Sequence, residues 1–163
     1  MKKIFLIFLI ACMIFSFASC SQKEKKVELN RQNILNYVFF EASLGDVTKD
    51  GSVFYCPVTL TIKPKGDYSF KNVSCTCTFK DVSEIQMFSW NVDDKGLNEN
   101  LSVFAPNPGD CWKGVINLDK DGYGEVVIYI KNSPLSETST IARPKLTNWN
   151  REIITVEGTV TER

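Results

Sequence analysis

Polar and apolar side chains alternate with a period of two along much of this chain. The clearest case is Phe54, Cys56, Val58, Leu60 and Ile62, which alternate with Tyr55, Pro57, Thr59, Thr61 and Lys63. Successive side chains of an extended strand point to opposite faces, so this pattern predicts a half-buried β-strand. Pro57 has no N–H to give a neighbouring strand and predicts a sheet edge or a bulge at that point. A second strand is predicted where Val73, Cys75, Cys77 and Phe79 alternate with Ser74, Thr76, Thr78 and Lys80. A third runs over Ile85–Val92, with Phe88 and Trp90 in phase. Val38–Leu44, Leu101–Phe104, Cys111–Leu118, Glu125–Lys131 and Glu152–Thr161 complete the set, the last with Ile154, Val156 and Val160 in phase.

Turn chemistry separates these runs: Gly45-Asp46, Lys49-Asp50-Gly51, Pro64-Lys65-Gly66-Asp67 and Pro106-Asn107-Pro108-Gly109. One short helical segment is expected over Arg31–Tyr37, with Asn30 as its cap. Seven or eight strands at intervals of roughly ten to fifteen residues predict an all-β fold, an antiparallel β-sandwich of immunoglobulin-like or fibronectin-III-like type. The connections at 93–100, 105–112 and 133–150 are the expected contact loops, because binding residues gather on loops held by a rigid scaffold.

The first 22 residues follow another pattern. Lys2 and Lys3 precede an apolar run from Ile4 to Phe17, then Ala18, Ser19 and Cys20, after which the chain turns polar. A charged start, an apolar stretch and small residues before a cut describe an export signal. Fourteen apolar residues fall short of the roughly 20 that span a bilayer. Phe17-Ala18-Ser19-Cys20 resembles the lipobox of bacterial lipoproteins, with Phe17 where leucine is commoner. A competing match, Leu9-Ile10-Ala11-Cys12, would leave an apolar stub beside the membrane. The resemblance implies removal of residues 1–19, lipidation of Cys20 with acyl chains such as palmitate, and a membrane-anchored protein on the periplasmic or extracellular side. Residues 20–30 would form a polar tether and 31–163 one β-sandwich domain.

Composition narrows the chemistry. Residues 20–163 keep 17 of the 19 basic side chains and all 19 acidic ones, a formal charge of −2, and there is no histidine. Without histidine the chain lacks the commonest general base and metal ligand, and every Ser–His or Cys–His arrangement. A non-enzymatic role is expected. No basic block lies beyond Lys23–Lys26, so a nucleic-acid partner is not expected. The expected partners are the membrane, through the lipid, and an envelope or host protein or glycan.

Two constellations carry candidate chemistry. Cys56, Cys75, Cys77 and Cys111 are an even set in an exported chain and predict two disulfides. Cys75 and Cys77 stand two apart on one strand and cannot comfortably bridge each other. The pairings left open are 56–75 with 77–111, or 56–77 with 75–111. Four thiolates also suit a soft metal, although Cys-x-Cys in a strand fits a chelating turn poorly. The second constellation is Asn117, Asp119 and Asp121 before Gly122, which matches the opening of a calcium loop. Its twelfth position is Ile128 rather than a bidentate Glu, and Asp-Lys-Asp-Gly is also what a tight hairpin needs. Trp90, Trp112 and Trp149 are read first as core or strand-edge residues and second as a glycan or protein contact.

Overall fold

The computed structural model describes residues 24–82, 90–92, 111–132, 141 and 143–162. These residues fold as two antiparallel sheets with almost no helix. The strands are β1 (Lys25–Glu28), β2 (Val38–Leu44), β3 (Thr48–Asp50), β4 (Val53–Pro64), β5 (Tyr68–Asp81), β6 (Asn91–Val92), β7 (Cys111–Asn117), β8 (Gly124–Asn132) and β9 (Trp149–Glu162). One sheet has the order β1-β9-β5-β7. The other has the order β2-β4-β8-β6, with β3 also paired to β4.

Successive strands from β4 onward lie in opposite sheets, and the first strand neighbours the last. An immunoglobulin or fibronectin-III sandwich instead opens with two strands that neighbour each other in one sheet. The all-β expectation therefore holds, and among the described residues the chain changes sheet at each step only from β4 onward. The signal peptide with Cys20, the contact loops at 93–100 and 105–110, and 133–140 of the last loop lie outside the described residues.

The alternating patterns set the two inner faces. Cys56, Val58, Leu60 and Ile62 of β4 and Val126, Ile128 and Ile130 of β8 bury one face. Val73, Cys75, Cys77 and Phe79 of β5 and Trp112 and Ile116 of β7 bury the other. Each such aliphatic or aromatic side chain contributes about 1.5–3 kcal/mol through its removal from water. Phe79 and Trp149 stack at 4.6 Å with 4° between ring planes, an aromatic contact that adds to the burial term.

Four local expectations change in the fold. Pro57 sits in an interior strand, between β2/β3 and β8. Its carbonyl accepts the Gly45 N–H at 2.8 Å. In a strand the N and O of one residue point the same way, so the missing N–H faces the break between β2 and β3, where no ladder bond is lost. In β9 the register against β5 shifts between Thr76 and Cys77, with Ile154 as the extra residue. That bulge reverses the phase, so Ile153 is buried and Ile154 only half-buried. Residues 25–28, assigned to a polar tether, pair with Thr159–Glu162 as β1. The helical segment is one turn, α1 (Ile34–Tyr37). Ahead of it the Asn30 side-chain oxygen accepts the Gln32 and Asn33 N–H groups.

A second bulge lies at Asn72-Val73, opposite Gly158 alone. Asn72 has φ +52° and Gly158 φ +111°. A Cβ on Gly158 would stand 2.5 Å from the Asn72 carbonyl oxygen, so backbone conformation and space both require glycine there.

Candidate functional site

The calcium-like segment is a closed turn that carries the chain from β7 in one sheet to β8 in the other. Asp119 turns a carboxylate oxygen inward, where it accepts the N–H groups of Asp121 and Tyr123, each at 2.9 Å. The Asp119 carbonyl accepts the Gly122 N–H at 3.1 Å. Gly122 has φ +86°, and a Cβ there would stand 2.2 Å from the Phe70 ring. The Phe70 N–H donates to Lys120 and the Leu118 N–H to Val73, both at 2.9 Å, clamping the turn onto β5. Asn117 lines a separate depression with Asn72, Ser74 and Lys120. Among the described residues no group of three or more His, Cys, Asp or Glu is placed to hold a metal ion.

The cysteines also differ from expectation. No disulfide joins the described cysteines, and the register explains why both expected pairings fail. Each pairing requires Cys111 to meet Cys75 or Cys77. Cys111 is opposite Lys80, on the outer face of its sheet, whereas Cys75 and Cys77 are opposite Ile116 and Gly114 and face the core. Burial pushes the Cys75 thiol up to about 12, and pushes Cys77 up as well, with its neighbour Cys75 adding to the shift. Such thiols are protonated and behave as small hydrophobes. The Cys56 thiol is raised chiefly by burial, which outweighs a lowering by Arg143, and Asp46 adds a smaller rise. Trp90, Trp112 and Trp149 are all buried, as their first reading had it.

A groove lies elsewhere, on the flank of the sandwich. β1 covers only the C-terminal end of β9, through Thr159–Glu162, and the Leu29 N–H adds one bond to Gly158 at 3.0 Å. The N-terminal part of β9 therefore runs past the edge strand β2 with space between them. The groove has a volume of about 450 Å³ and is lined by Leu35, Phe40 and Ile153 with Arg31, Asn150, Arg151 and Glu152. Arg151 crosses it and donates from Nε to the Phe40 carbonyl at 3.0 Å. This cap occupies one carbonyl of the outer edge of β2 and restrains that edge. Arg31 and Glu152 stand 3.9 Å apart, both about half exposed. The Asn150 amide donates to Glu152 at 3.2 Å.

An apolar floor with charged, exchangeable partners at its rim suits the binding of an extended chain, by apolar contact and by strand addition along β2 or β9. Sequence reading missed this groove, since Arg31 and Glu152 are far apart in the chain and only the fold joins them. The one signal available was Leu35, an apolar residue in the short predicted helix, which is 52% exposed. Comparison of the chain with protein-family models, curated proteins and solved structures returns no match.

Proposed function

We propose that this chain is a bacterial lipoprotein, anchored through a lipidated Cys20, that presents a non-enzymatic β-sandwich for contacts with a protein or glycan of the cell envelope. The observation that carries the reading is the run Ile4–Phe17 followed by Phe17-Ala18-Ser19-Cys20, with a folded domain starting at Lys25. Among the described residues no helix is long and apolar enough to cross a membrane, so attachment in this reading rests on the lipid. Two or three acyl chains, at about 0.8 kcal/mol per buried methylene, hold such a protein on its bilayer.

The sandwich is of jelly-roll type in this reading, since the first described strand lies beside the last and the chain changes sheet at each step from β4 to β9. The contact surface is the β2/β9 groove together with the loops around it. The experiment is metabolic labelling with an alkyne fatty acid. Label on the wild-type chain and none on Cys20→Ala supports the reading. Equal labelling of both, or of neither, overturns it. For the contact surface, a Leu35→Glu, Arg151→Glu chain that folds normally is expected to lose its co-purifying envelope partner. Retention of that partner overturns the groove assignment.

A further inference from the structure

The exposed large hydrophobic residues are Leu35, Phe39, Val82, Tyr123, Val127 and Tyr129, and the first two share a neighbour. Phe39 is 50% and Leu35 52% exposed, and one lysine joins them. The Lys65 ammonium lies 4.9 Å over the Phe39 ring and donates to the Leu35 carbonyl. Among the described residues no carboxylate pairs with Lys65, whereas its neighbour Lys63 is paired with Glu41 at 2.9 Å. The result is an aromatic ring, an aliphatic side chain and an unneutralised cation on one surface.

A chain of contacts ties this patch to the start of the domain. The Lys65 N–H donates to the Tyr37 carbonyl at 2.8 Å. The Tyr37 hydroxyl donates to Glu162 at 2.9 Å, and Glu162 pairs with Lys25 at 3.6 Å. Lys25 is five residues after Cys20, and five extended residues span at most about 18 Å. If Cys20 sits in the headgroup layer, Lys25 stays within that reach of it, and the contacts above put the patch at the same end of the domain. The opposite end of β4 is free of that constraint: Lys49 is opposite Phe54, which is about 33 Å along the strand from Pro64 at 3.3 Å per residue.

We propose that Leu35, Phe39 and Lys65 form a membrane-resting surface that seats the sandwich on the lipid headgroups. Aromatic rings favour the interface between headgroup and acyl chain, and a lysine beside one is drawn to anionic lipid. Seated this way, the domain holds β3 and the β3–β4 turn away from the bilayer, and the β2/β9 groove, which shares Leu35, opens close to the membrane plane. The partner it receives is then itself membrane-proximal. This inference rests on the Cys20 reading.

The test uses the full chain, processed in bacteria and reconstituted in phosphatidylethanolamine–phosphatidylglycerol vesicles. Benzoylphenylalanine replaces either Phe39 or Lys49, and lipid adducts are counted by mass after irradiation. The expected result is a several-fold excess of lipid adduct at position 39, reduced by Lys65→Glu. Equal adducts at the two positions on a chain whose mass shows acylated Cys20 overturn the seating and leave the anchor standing. An adduct from position 39 to a second copy of the chain, in place of lipid, overturns it also. A mass without acyl groups overturns both.

Discussion

The turn between β7 and β8 and the groove between β2 and β9 both carry charged side chains at the surface, and they use them in opposite ways. In the turn, the Asp119 carboxylate accepts two backbone N–H groups and Gly122 is packed against the Phe70 ring. Its chemistry is spent on closing the fold. In the groove, Arg31 and Glu152 meet at 3.9 Å across an open space of about 450 Å³. At half exposure such a pair contributes little to stability, and its partners are available for exchange. A ligand-like motif in sequence thus marks a folding device, and the residues open to a ligand form no motif.

The largest expected effect tests the closed side. Gly122→Ala needs a Cβ 2.2 Å from the Phe70 ring at φ +86°. Backbone strain and overpacking together cost about 3 kcal/mol, read as a lower denaturant midpoint. A variant as stable as wild type would mean that the turn is not clamped to β5.

The core beneath the turn gives the next effect, at high pH. The Cys75 thiol is raised from 9.0 to about 12 in the fold, so the folded state holds its proton more tightly than the unfolded one. The stability this provides is present below pH 9.0 and is lost as pH rises from there through about 12. Cys75→Val is expected to move the midpoint of alkaline unfolding upward, followed by circular dichroism. An unchanged midpoint would show that this thiol does not drive the alkaline transition.

Asp119→Ala removes the acceptor for two backbone N–H groups and is expected to cost about 1 kcal/mol, as loss of a comparable side-chain cap does. Millimolar calcium is expected to leave the wild-type Tm where it is. A calcium-dependent rise in Tm that Asp119→Ala abolishes would restore an ion site at Asn117, Asp119 and Asp121.

The smallest effect belongs to the open side. Leu35→Ser changes an exposed residue at the groove rim and is expected to shift stability by less than about 0.5 kcal/mol. A larger loss would place Leu35 in the folding core and dissolve the contrast between turn and groove.

Much of the fold was legible in the sequence because period-two alternation is a one-dimensional signal. Val38–Leu44 was bounded as it is found, and the inward rows of β4 and β5 fall on the predicted residues. What failed was the part that depends on neighbours. Pro57 read as an edge residue, because a sequence cannot show that the facing strand is interrupted at Gly45. Ile154 read as core, because the bulge that reverses its phase arises from pairing with β5. The cysteine pairings failed for a related reason: Cys111 has the wrong parity on β7, visible only once Lys80 is known to stand opposite it. Beyond Leu35 the groove left no trace in the sequence, since it forms where two strands of different sheets pass each other without pairing.

The anchor and the membrane seating both rest on what Cys20 carries. The most direct measurement is the intact mass of the protein extracted from membranes, alkylated before and after unfolding without reductant. The predicted result is a mass of residues 20–163 plus acyl chains, with Cys75 and Cys77 taking up the reagent only once the chain is unfolded. An unacylated chain at Cys20 would contradict the anchor and the seating it supports. Cysteines that resist alkylation until reductant is added would contradict the thiol core.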